Sequence, residues 1–184
     1  MRLLGAVLAG GQSRRFGSDK AAATVGGKLL IAHVAEALRR ECTHVVVTGR
    51  AYDGFQFLRD RPVSDLGPLG GLCAALQYGA AMAFDAVLSA PCDVPNLPEG
   101  IAAALARAGP AACVADMPVI GLWPCGLAGR LAEHLQARAD RSLRGWARVI
   151  GARPVRVAGL ANINTPLDLA AFAETGLDIA GARR

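Results

Sequence analysis

The chain has 184 residues, of which 53% are hydrophobic, and this composition excludes intrinsic disorder and provides a core that needs no disulfide bonds. Its net charge of +5 favours anionic partners such as phosphorylated metabolites, but the charge is too dispersed to indicate nucleic acid. The length predicts one domain over residues 1–184, and no apolar run reaches the roughly 18 residues that a membrane helix needs.

The first ninety residues predict an alternation of strands and helices. Residues 3–8 form a continuous apolar run that ends at Ala-Gly-Gly, which is typical of a strand buried on both faces. The segment Gly67-Pro-Leu-Gly-Gly71 indicates a break in regular structure. The other patterns predict, in chain order, a helix over 28–41, a strand over 44–48, a helix over 72–84 and a strand over 86–90.

The second half of the chain predicts shorter elements. They are a helix over 98–107, strands over 111–115 and 119–123, one or two helices within 126–151, a strand over 154–157 and a final helix over 165–174. Alternation of this kind predicts an α/β fold, in which a mostly parallel sheet carries helices on both faces. The residues after about 110 predict a small, partly antiparallel extension of that sheet.

Cysteine usage and the N-terminus bear on the cellular compartment. The five cysteines are an odd number without a C-x-x-C pair, so they indicate reduced thiols rather than a disulfide framework or a zinc site. The apolar stretch near Met1 is shorter than that of a signal peptide, and it predicts a strand instead. We therefore expect a cytoplasmic protein.

The stretch after the first strand combines backbone freedom with cationic side chains, and it reads Leu-Ala-Gly-Gly-Gln-Ser-Arg-Arg-Phe-Gly-Ser-Asp-Lys. In open parallel sheets, ligands bind at the carboxyl ends of the strands. Gly10 and Gly11 allow backbone amides to approach a polyanion closely. Arg14, Arg15 and Lys20 carry charges that suit phosphate oxygens. The loop predicts a triphosphate cradle rather than a surface loop with incidental charge, and it is neither a Walker A loop nor a G-x-G-x-x-G loop.

A carboxylate is predicted at the same edge of the sheet. Asp93 lies in Pro91-Cys-Asp-Val-Pro95, directly after the strand predicted over 86–90. Mg²⁺ is commonly bound through one or two carboxylates together with substrate phosphates, which makes Asp93 a candidate metal ligand. The alternative is an aspartate that caps a turn between two prolines.

Four segments, taken in order, resemble one family. The first loop looks like the signature of nucleotidyltransferases built on a Rossmann-like sheet. Together with the segments 67–71, 91–95 and Asn162-Ile-Asn-Thr-Pro-Leu-Asp-Leu169, it resembles the molybdenum cofactor guanylyltransferase family from residue 3 to about residue 172. The resemblance implies a three-layer α/β fold of the Rossmann-like kind. It also implies transfer of GMP from GTP to the terminal phosphate of molybdopterin, with release of pyrophosphate.

The resemblance assigns roles to individual residues. It implies that Arg15, Lys20 and Asp93 are catalytic, with Asp93 as the ligand of Mg²⁺. Asn162 and Asn164 are implied to bind molybdopterin. The GTP-binding residues that it implies are Leu8, Ala9, Gly10, Gly11, Lys20, Thr48, Asp60 and Asp93.

Two of the implied nucleotide contacts have alternatives. Asp60 is implied as the reader of guanine, because a carboxylate can accept hydrogen bonds from both N1–H and the 2-amino group. The alternatives are a solvated aspartate between two arginines, or Asp65 as the reader. Thr48 stands where the family has a base-contacting asparagine, and its alternative role is that of an ordinary strand-end threonine.

The third motif and one departure concern the second substrate. Asn164 or Thr165 is predicted as the N-cap of the last helix, with Pro166 at its first position. Met117 lies in a stretch shorter than its family counterpart, and it stands where the family has a histidine. We therefore do not assign that loop a contact with the pterin.

The remaining predictions concern partners. Arg138, Arg141, Arg144 and Arg148 would share one face of a continuous helix, which is either a solvated face or a docking surface. The resemblance implies GTP and molybdopterin as substrates, and molybdoenzyme apo-proteins or their chaperones as candidate protein partners. We expect a monomer or a weak homo-oligomer, without a nucleic-acid or membrane partner.

Two other functions remain as alternatives. The nearer one is a molybdopterin cytidylyltransferase or another small nucleotidyltransferase, which would differ in base and acceptor. The other is a chaperone that binds nucleotide and cofactor without catalysis. Such a chaperone has no need for Lys20 and Asp93, and both are present.

Overall fold

The computed structural model describes residues 1–10, 23–64, 66–137 and 140–181. Its strands are β1 (Leu3–Leu8), β2 (Thr24–Val25), β3 (Lys28–Leu29), β4 (His44–Thr48), β5 (Gln56–Leu58), β6 (Ala86–Pro91), β7 (Ala112–Val114), β8 (Gly121–Pro124) and β9 (Arg153–Val155). Its helices are α1 (Leu30–Glu41), α2 (Pro68–Ala81), α3 (Ile101–Ala108), α4 (Ala128–Gln136), α5 (Leu143–Ile150) and α6 (Pro166–Gly181). No helix in these ranges is both long and apolar enough to cross a membrane.

Seven strands form one sheet in the order β5-β4-β1-β6-β8-β7-β9. Strand β1 pairs in parallel with β4 and β6, and all six of its residues are buried, as its continuous apolar run predicts. Among the strands that the structure describes, β8 is the one that runs antiparallel to both of its neighbours. The prediction of a mostly parallel sheet with a partly antiparallel extension is confirmed.

Helices cover both faces of the sheet and complete three layers. Helices α1 and α3 pack on one face through residues such as Leu38 and Leu105. Helices α2, α4 and α5 pack on the other face, where Leu72, Leu131 and Trp146 are buried together. Each face therefore has its own hydrophobic core, and the carboxyl edge of the parallel strands lies between the two helical layers.

A small third core joins a hairpin to the last helix. Strands β2 and β3 pair antiparallel, and Val25 packs there with Leu30 and Ile163. Leu169 and Phe172 of α6 cover this cluster. Helix α6 therefore packs against the β2–β3 hairpin.

Helix α2 begins earlier than its sequence predicts. The segment 67–71, interpreted as a break, is the first turn of the helix, with Pro68 at its first position and Gly67 at a φ of +63° before it. Gly70 and Gly71 are both buried. Both glycines lie within the helix and do not end it. Their lack of a side chain leaves room for Asp60 and Thr48 beside them.

Two further differences come from short elements. Strand β5 has three residues, of which none is buried, so its apolar pattern is too weak to predict a strand. Residues 28–29, predicted as the start of a helix, form β3 instead, because they pair with β2. In both cases a tertiary partner decides a local structure that the pattern leaves open.

Of the one or two helices predicted within 126–151, the structure has two, so the condition for a shared arginine face, one continuous helix, is not met. Helix α4 ends at Gln136 and α5 begins at Leu143, with Ser142 as its N-cap. Arg144 and Arg148 are exposed on α5, whereas Arg141 precedes the helix, and Arg138 lies outside the described residues. Both helices contribute to the same hydrophobic core, through Leu131 of α4 and Trp146 of α5.

Candidate functional site

The carboxyl ends of three parallel strands meet at one edge of the sheet. The register pairs Leu8 with Thr48 on one side and with Pro91 on the other. Beyond the last strand residues, the Ala9 amide donates to the Thr48 carbonyl at 3.0 Å. Ligands of open α/β sheets bind in the crevice outside such an edge, so the predicted GTP residues Leu8, Ala9 and Gly10 border that crevice.

Two backbone turns touch where β1 and β4 end. Gly49 has a φ of +86°, and a Cβ built on it would lie 2.4 Å from both the Cα and the N of Gly10. The two backbone segments are therefore closer together than a side chain at position 49 would permit. This contact fixes where the predicted phosphate loop leaves the sheet.

We expect Gly49→Ala to lower the free energy of unfolding by about 2–4 kcal/mol, because alanine adds a left-handed backbone penalty and an overpacked contact. The midpoint of urea denaturation measures the loss. Gly54→Ala is the matched control, because Gly54 has a φ of +81° but nothing within 4 Å of its built Cβ. An equal loss of stability in the two variants would contradict the role assigned to the contact.

Asp60 lies against the N-terminus of α2. A Cβ built on Gly70 would lie 3.1 Å from the Asp60 Cβ and 3.2 Å from its Oδ2, so the glycine leaves room for the carboxylate. The Arg61 amide also donates to the Gly70 carbonyl at 3.1 Å, which holds this part of the chain on the helix. The N-terminal end of a helix favours a negative charge, so the position suits an ionised carboxylate.

Thr48 is buried beneath the same helix. It is 1% exposed, and a Cβ built on Gly71 would lie 2.2 Å from its Oγ1. Its hydroxyl has no hydrogen-bond partner among the described residues. Thr48 therefore sets how closely α2 approaches the end of β4, and its contact with a base stays a prediction.

Asp93 lies two residues after the end of β6, at the same edge of the sheet. Its residue is half-buried, and its main-chain carbonyl accepts a hydrogen bond from the Ile163 amide at 2.9 Å. The preceding Cys92 donates its amide to the Leu8 carbonyl at 3.4 Å. Asp93 thus lies between the end of β1 and the segment that contains Asn162 and Asn164.

The asparagine motif leads into α6 through a capping box. Thr165 Oγ1 accepts a hydrogen bond from the Asp168 amide at 3.1 Å, and Asp168 Oδ2 accepts from the Thr165 and Asn164 amides, each at 2.8 Å. Thr165 is therefore the N-cap, and Pro166 starts the helix as predicted. Asn162 and Asn164 are exposed on either side of the buried Ile163.

Several predicted site residues lie outside the described part of the chain. They are Gly11, Arg14, Arg15, Lys20 and Asp65. Their roles stay predictions, as does the choice between Asp60 and Asp65 as the reader of the base.

The donor set suits a divalent metal that is held partly by substrate. The described ranges contain no group of three or more His, Cys, Asp or Glu residues that could hold an ion. An ion at Asp93 would need the oxygen atoms of a nucleotide to complete its coordination, and Mg²⁺ is commonly bound in this way. The carboxylate at the sheet edge therefore fits Mg²⁺ together with a triphosphate.

Neither the thiols of Cys42, Cys73 and Cys125 nor the shortened loop around Met117 offers a reactive group. Burial raises the pKa of Cys42 to about 12 and that of Cys73 and Cys125 to about 11, so these thiols are protonated at neutral pH. Met117 lies in the turn between β7 and β8, where its carbonyl accepts from the Ile120 amide at 3.0 Å. Its side chain packs against the core instead of lying exposed.

The family model of the MobA-like NTP transferase domain matches residues 5–157 of the chain. The chain belongs to this family. A molybdenum cofactor guanylyltransferase of Cereibacter sphaeroides is 40% identical over 186 residues, which covers 92% of this chain and 95% of the relative. The family resemblance stated from the four motifs is therefore confirmed.

Solved structures of lower identity share the fold of this MobA-like domain. Molybdopterin-guanine dinucleotide biosynthesis protein A from Archaeoglobus fulgidus has a TM-score of 0.69 at 22% identity, covering 95% of this chain and 99% of its own. A Mycobacterium tuberculosis protein in complex with manganese has a TM-score of 0.59 at 17% identity, covering 95% and 100%. At these identities the likeness establishes the three-layer architecture alone.

Two residues at the site of this MobA-like domain were missed by sequence reasoning. Gly49 directly follows the strand-end Thr48, and a glycine at a strand end is the signal that could have found it. Asn96 lies between Pro95 and Leu97 and carries no recognisable motif. Its importance depends on contacts with residues more than sixty positions away.

Proposed function

We propose that this protein, as a single nucleotidyltransferase domain, transfers GMP from GTP to the terminal phosphate of molybdopterin and releases pyrophosphate. The observation that carries the proposal is 40% identity, over 92% of the chain, to a relative named molybdenum cofactor guanylyltransferase. The arrangement of Asp60 and Asp93 around one crevice supports it, because a base reader and a metal ligand are then available to one nucleotide.

The nucleotide half of the site extends from the base to the triphosphate. Asp60 packs against the N-terminus of α2, where it accepts hydrogen bonds from N1–H and the 2-amino group of guanine. Cytosine lacks this pair of donors. The backbone amides of Gly10 and Gly11 approach the phosphates, whereas the predicted contact through the Ala9 amide is wrong, because that amide already donates to the Thr48 carbonyl. Lys20 and Arg15 carry the charges that hold the triphosphate in place.

The chemistry is an in-line displacement at the α-phosphorus of GTP. An oxygen of the molybdopterin phosphate forms the new bond to phosphorus, and the bond from phosphorus to the bridging oxygen of pyrophosphate breaks. No general base is required, because the attacking phosphate is already ionised. Asp93 would hold Mg²⁺, which offsets the charge on the departing pyrophosphate. Arg15 and Lys20 stabilise the transition state by position and charge.

The acceptor half of the site is the segment before α6. Asn162 and Asn164 are exposed and lie on either side of the residue whose amide binds the Asp93 carbonyl. Their amide side chains can donate to a phosphate or pair with polar atoms of the pterin. Both substrates therefore meet beside Asp93.

The setting of the reaction follows from its substrates. GTP and the molybdenum cofactor are intracellular metabolites, so we place the enzyme in the cytoplasm. Molybdoenzyme apo-proteins or their chaperones would receive the product, and exposed Arg144 and Arg148 offer a basic surface for them. We expect the enzyme to act as a monomer or a weak homo-oligomer.

Thermal unfolding with GTP, CTP and ATP, each with Mg²⁺, tests the nucleotide half. A ligand at one hundred times its dissociation constant stabilises a protein by about 2.7 kcal/mol, so we expect a clear rise in Tm with GTP and smaller rises with the others. Release of pyrophosphate on addition of molybdopterin tests the transfer. Preference for CTP would instead favour a cytidylyltransferase, and GTP binding without turnover would favour a non-catalytic chaperone.

A further inference from the structure

The segment 156–164 connects β9 to α6 without regular secondary structure, and three hydrogen bonds hold it to the loop after β6. The Asn96 Nδ2 donates to the Gly159 carbonyl at 2.5 Å, and the Ala161 amide donates to the Asn96 Oδ1 at 2.9 Å. The Ile163 amide donates to the Asp93 carbonyl at 2.9 Å. The segment therefore follows the loop at every second residue from 159 to 163.

The side chain of Asn96 supplies two of these three bonds. A primary amide donates through its nitrogen and accepts through its oxygen, and Asn96 uses these two atoms on two backbone groups of the same segment. Gly159 has a φ of +78°, so the segment turns sharply at the first contact. Asn96 thus sets both the position of the segment and its direction.

The far end of this contact is anchored in the hydrophobic core. Ile163 is 1% exposed and packs with Val25 and Leu30 at the β2–β3 hairpin. Its amide is held by Asp93, while its neighbours Asn162 and Asn164 are exposed. The separation between Asp93 and these two asparagines is therefore determined by the conformation of five residues, 159–163.

We propose that Asn96 is a positioning residue that sets the acceptor segment, residues 159–164, at the correct distance from Asp93. The inference rests on the roles proposed above for Asp93, Asn162 and Asn164. Asn96 lies three residues after Asp93, and its side chain is committed to the segment, so it acts on the second substrate through Asn162 and Asn164. The Asn96 side chain bonds none of the residues that we propose to bind GTP, so we expect GTP binding not to depend on it.

The experiment compares the two substrates in Asn96→Ala and Asn96→Asp. Because a misplacement of about 1 Å can cost up to about 100-fold in rate, we expect kcat/KM for molybdopterin to fall roughly 10- to 100-fold in Asn96→Ala. The KM for GTP and the rise in Tm on adding GTP with Mg²⁺ should stay within about twofold of the unmodified protein. If Asn96 serves stability alone, Asn96→Ala will have a lower Tm and an unchanged kcat/KM for molybdopterin. That result would overturn the proposal.

Asn96→Asp separates the two hydrogen bonds. A carboxylate still accepts from the Ala161 amide, but it donates to the Gly159 carbonyl only when it is protonated. We expect kcat/KM for molybdopterin in this variant, relative to the unmodified protein, to rise as the pH falls through the pKa of the new carboxyl group. A ratio that is independent of pH and equal to one would contradict the proposal.

Glu41→Ala is the matched control. The Gly100 amide donates to the Glu41 Oε1 at 2.5 Å, so Glu41 holds the other end of the loop after β6 without touching the acceptor segment. We expect this variant to lose stability and to keep its kcat/KM for molybdopterin. An equal loss of acceptor kcat/KM in Glu41→Ala and Asn96→Ala would mean that the whole loop matters, and the specific role of Asn96 would be wrong.

Asn162→Ala and Asn164→Ala distinguish a failure of this inference from a failure of the proposed function. If neither variant changes the KM for molybdopterin, the acceptor site is assigned wrongly, whatever Asn96 does. If either raises that KM and Asn96→Ala does not, the acceptor site stands and the inference about Asn96 falls.

Discussion

Replacing Asp93 with asparagine is expected to lower the rate of guanylyl transfer by about 100- to 1,000-fold or more, because the reaction loses the carboxylate that we propose would hold Mg²⁺. The fold should be retained, since the hydrogen bond from Ile163 uses the main-chain carbonyl of Asp93 and not its side chain. Single-turnover release of pyrophosphate, measured beside the Tm of each protein, checks both statements.

Asp53→Asn is the control for this experiment. Asp53 is exposed in the turn before β5 and is not among the residues assigned to the site, so its replacement removes the same charge without touching that set of residues. We expect full activity from it. Turnover of Asp93→Asn within twofold of the unmodified enzyme, at a limiting Mg²⁺ concentration, would show that the metal is held elsewhere.

The second large effect concerns the base. Asp60→Ala should weaken GTP binding by about 10- to 100-fold, because a hydrogen bond to a charged group contributes about 1.5–3 kcal/mol. Inosine triphosphate makes the test sharper, since it keeps N1–H and lacks the 2-amino group. We expect the unmodified protein to prefer GTP over inosine triphosphate, and Asp60→Ala to bind the two equally. Isothermal titration with Mg²⁺ measures both affinities.

Asp65→Ala decides between the two candidate readers. If the preference for GTP disappears in Asp65→Ala and persists in Asp60→Ala, then Asp65 is the reader. The contact of Asp60 with Gly70 has a separate consequence, because a purely structural role would lower the Tm of Asp60→Ala without changing its preference between the two nucleotides. The pair of variants therefore separates recognition of the base from support of α2.

The sequence predicts elements that are governed by short-range patterns. The six buried residues of β1 and the boundaries of β4 follow from continuous apolar runs, and the structure reproduces both. The capping box at Thr165 and Asp168 is also local, because its hydrogen bonds join residues within four positions. Where a pattern is short or glycine-rich, as at β5 and at the start of α2, the prediction fails because a distant partner decides the structure.

The candidate site divides in the same way. The sequence places the segment 91–95 correctly at the carboxyl edge of the sheet, since it follows a parallel strand, β6, which ends at Pro91. The role of Asp93 stays a prediction. The arginines between 138 and 148 would share a face only on one continuous helix, and helical spacing alone does not reveal that α5 begins after Ser142. Spacing is informative only within one continuous element.

By itself, the sequence determined the family, the strand that leads into the phosphate loop and the residue types that suit GTP and a divalent metal. Each of these features depends on residues that are close together in the sequence, so the order of residues along the chain is enough to predict it. Only the tertiary structure decided that Asp60 lies on Gly70 of α2, and that Asn96 binds the backbone 65 residues later in the chain. Such contacts depend on strand order and crossover geometry, which bring together residues that are far apart in the sequence. The residues near either partner in the sequence therefore do not predict the contact.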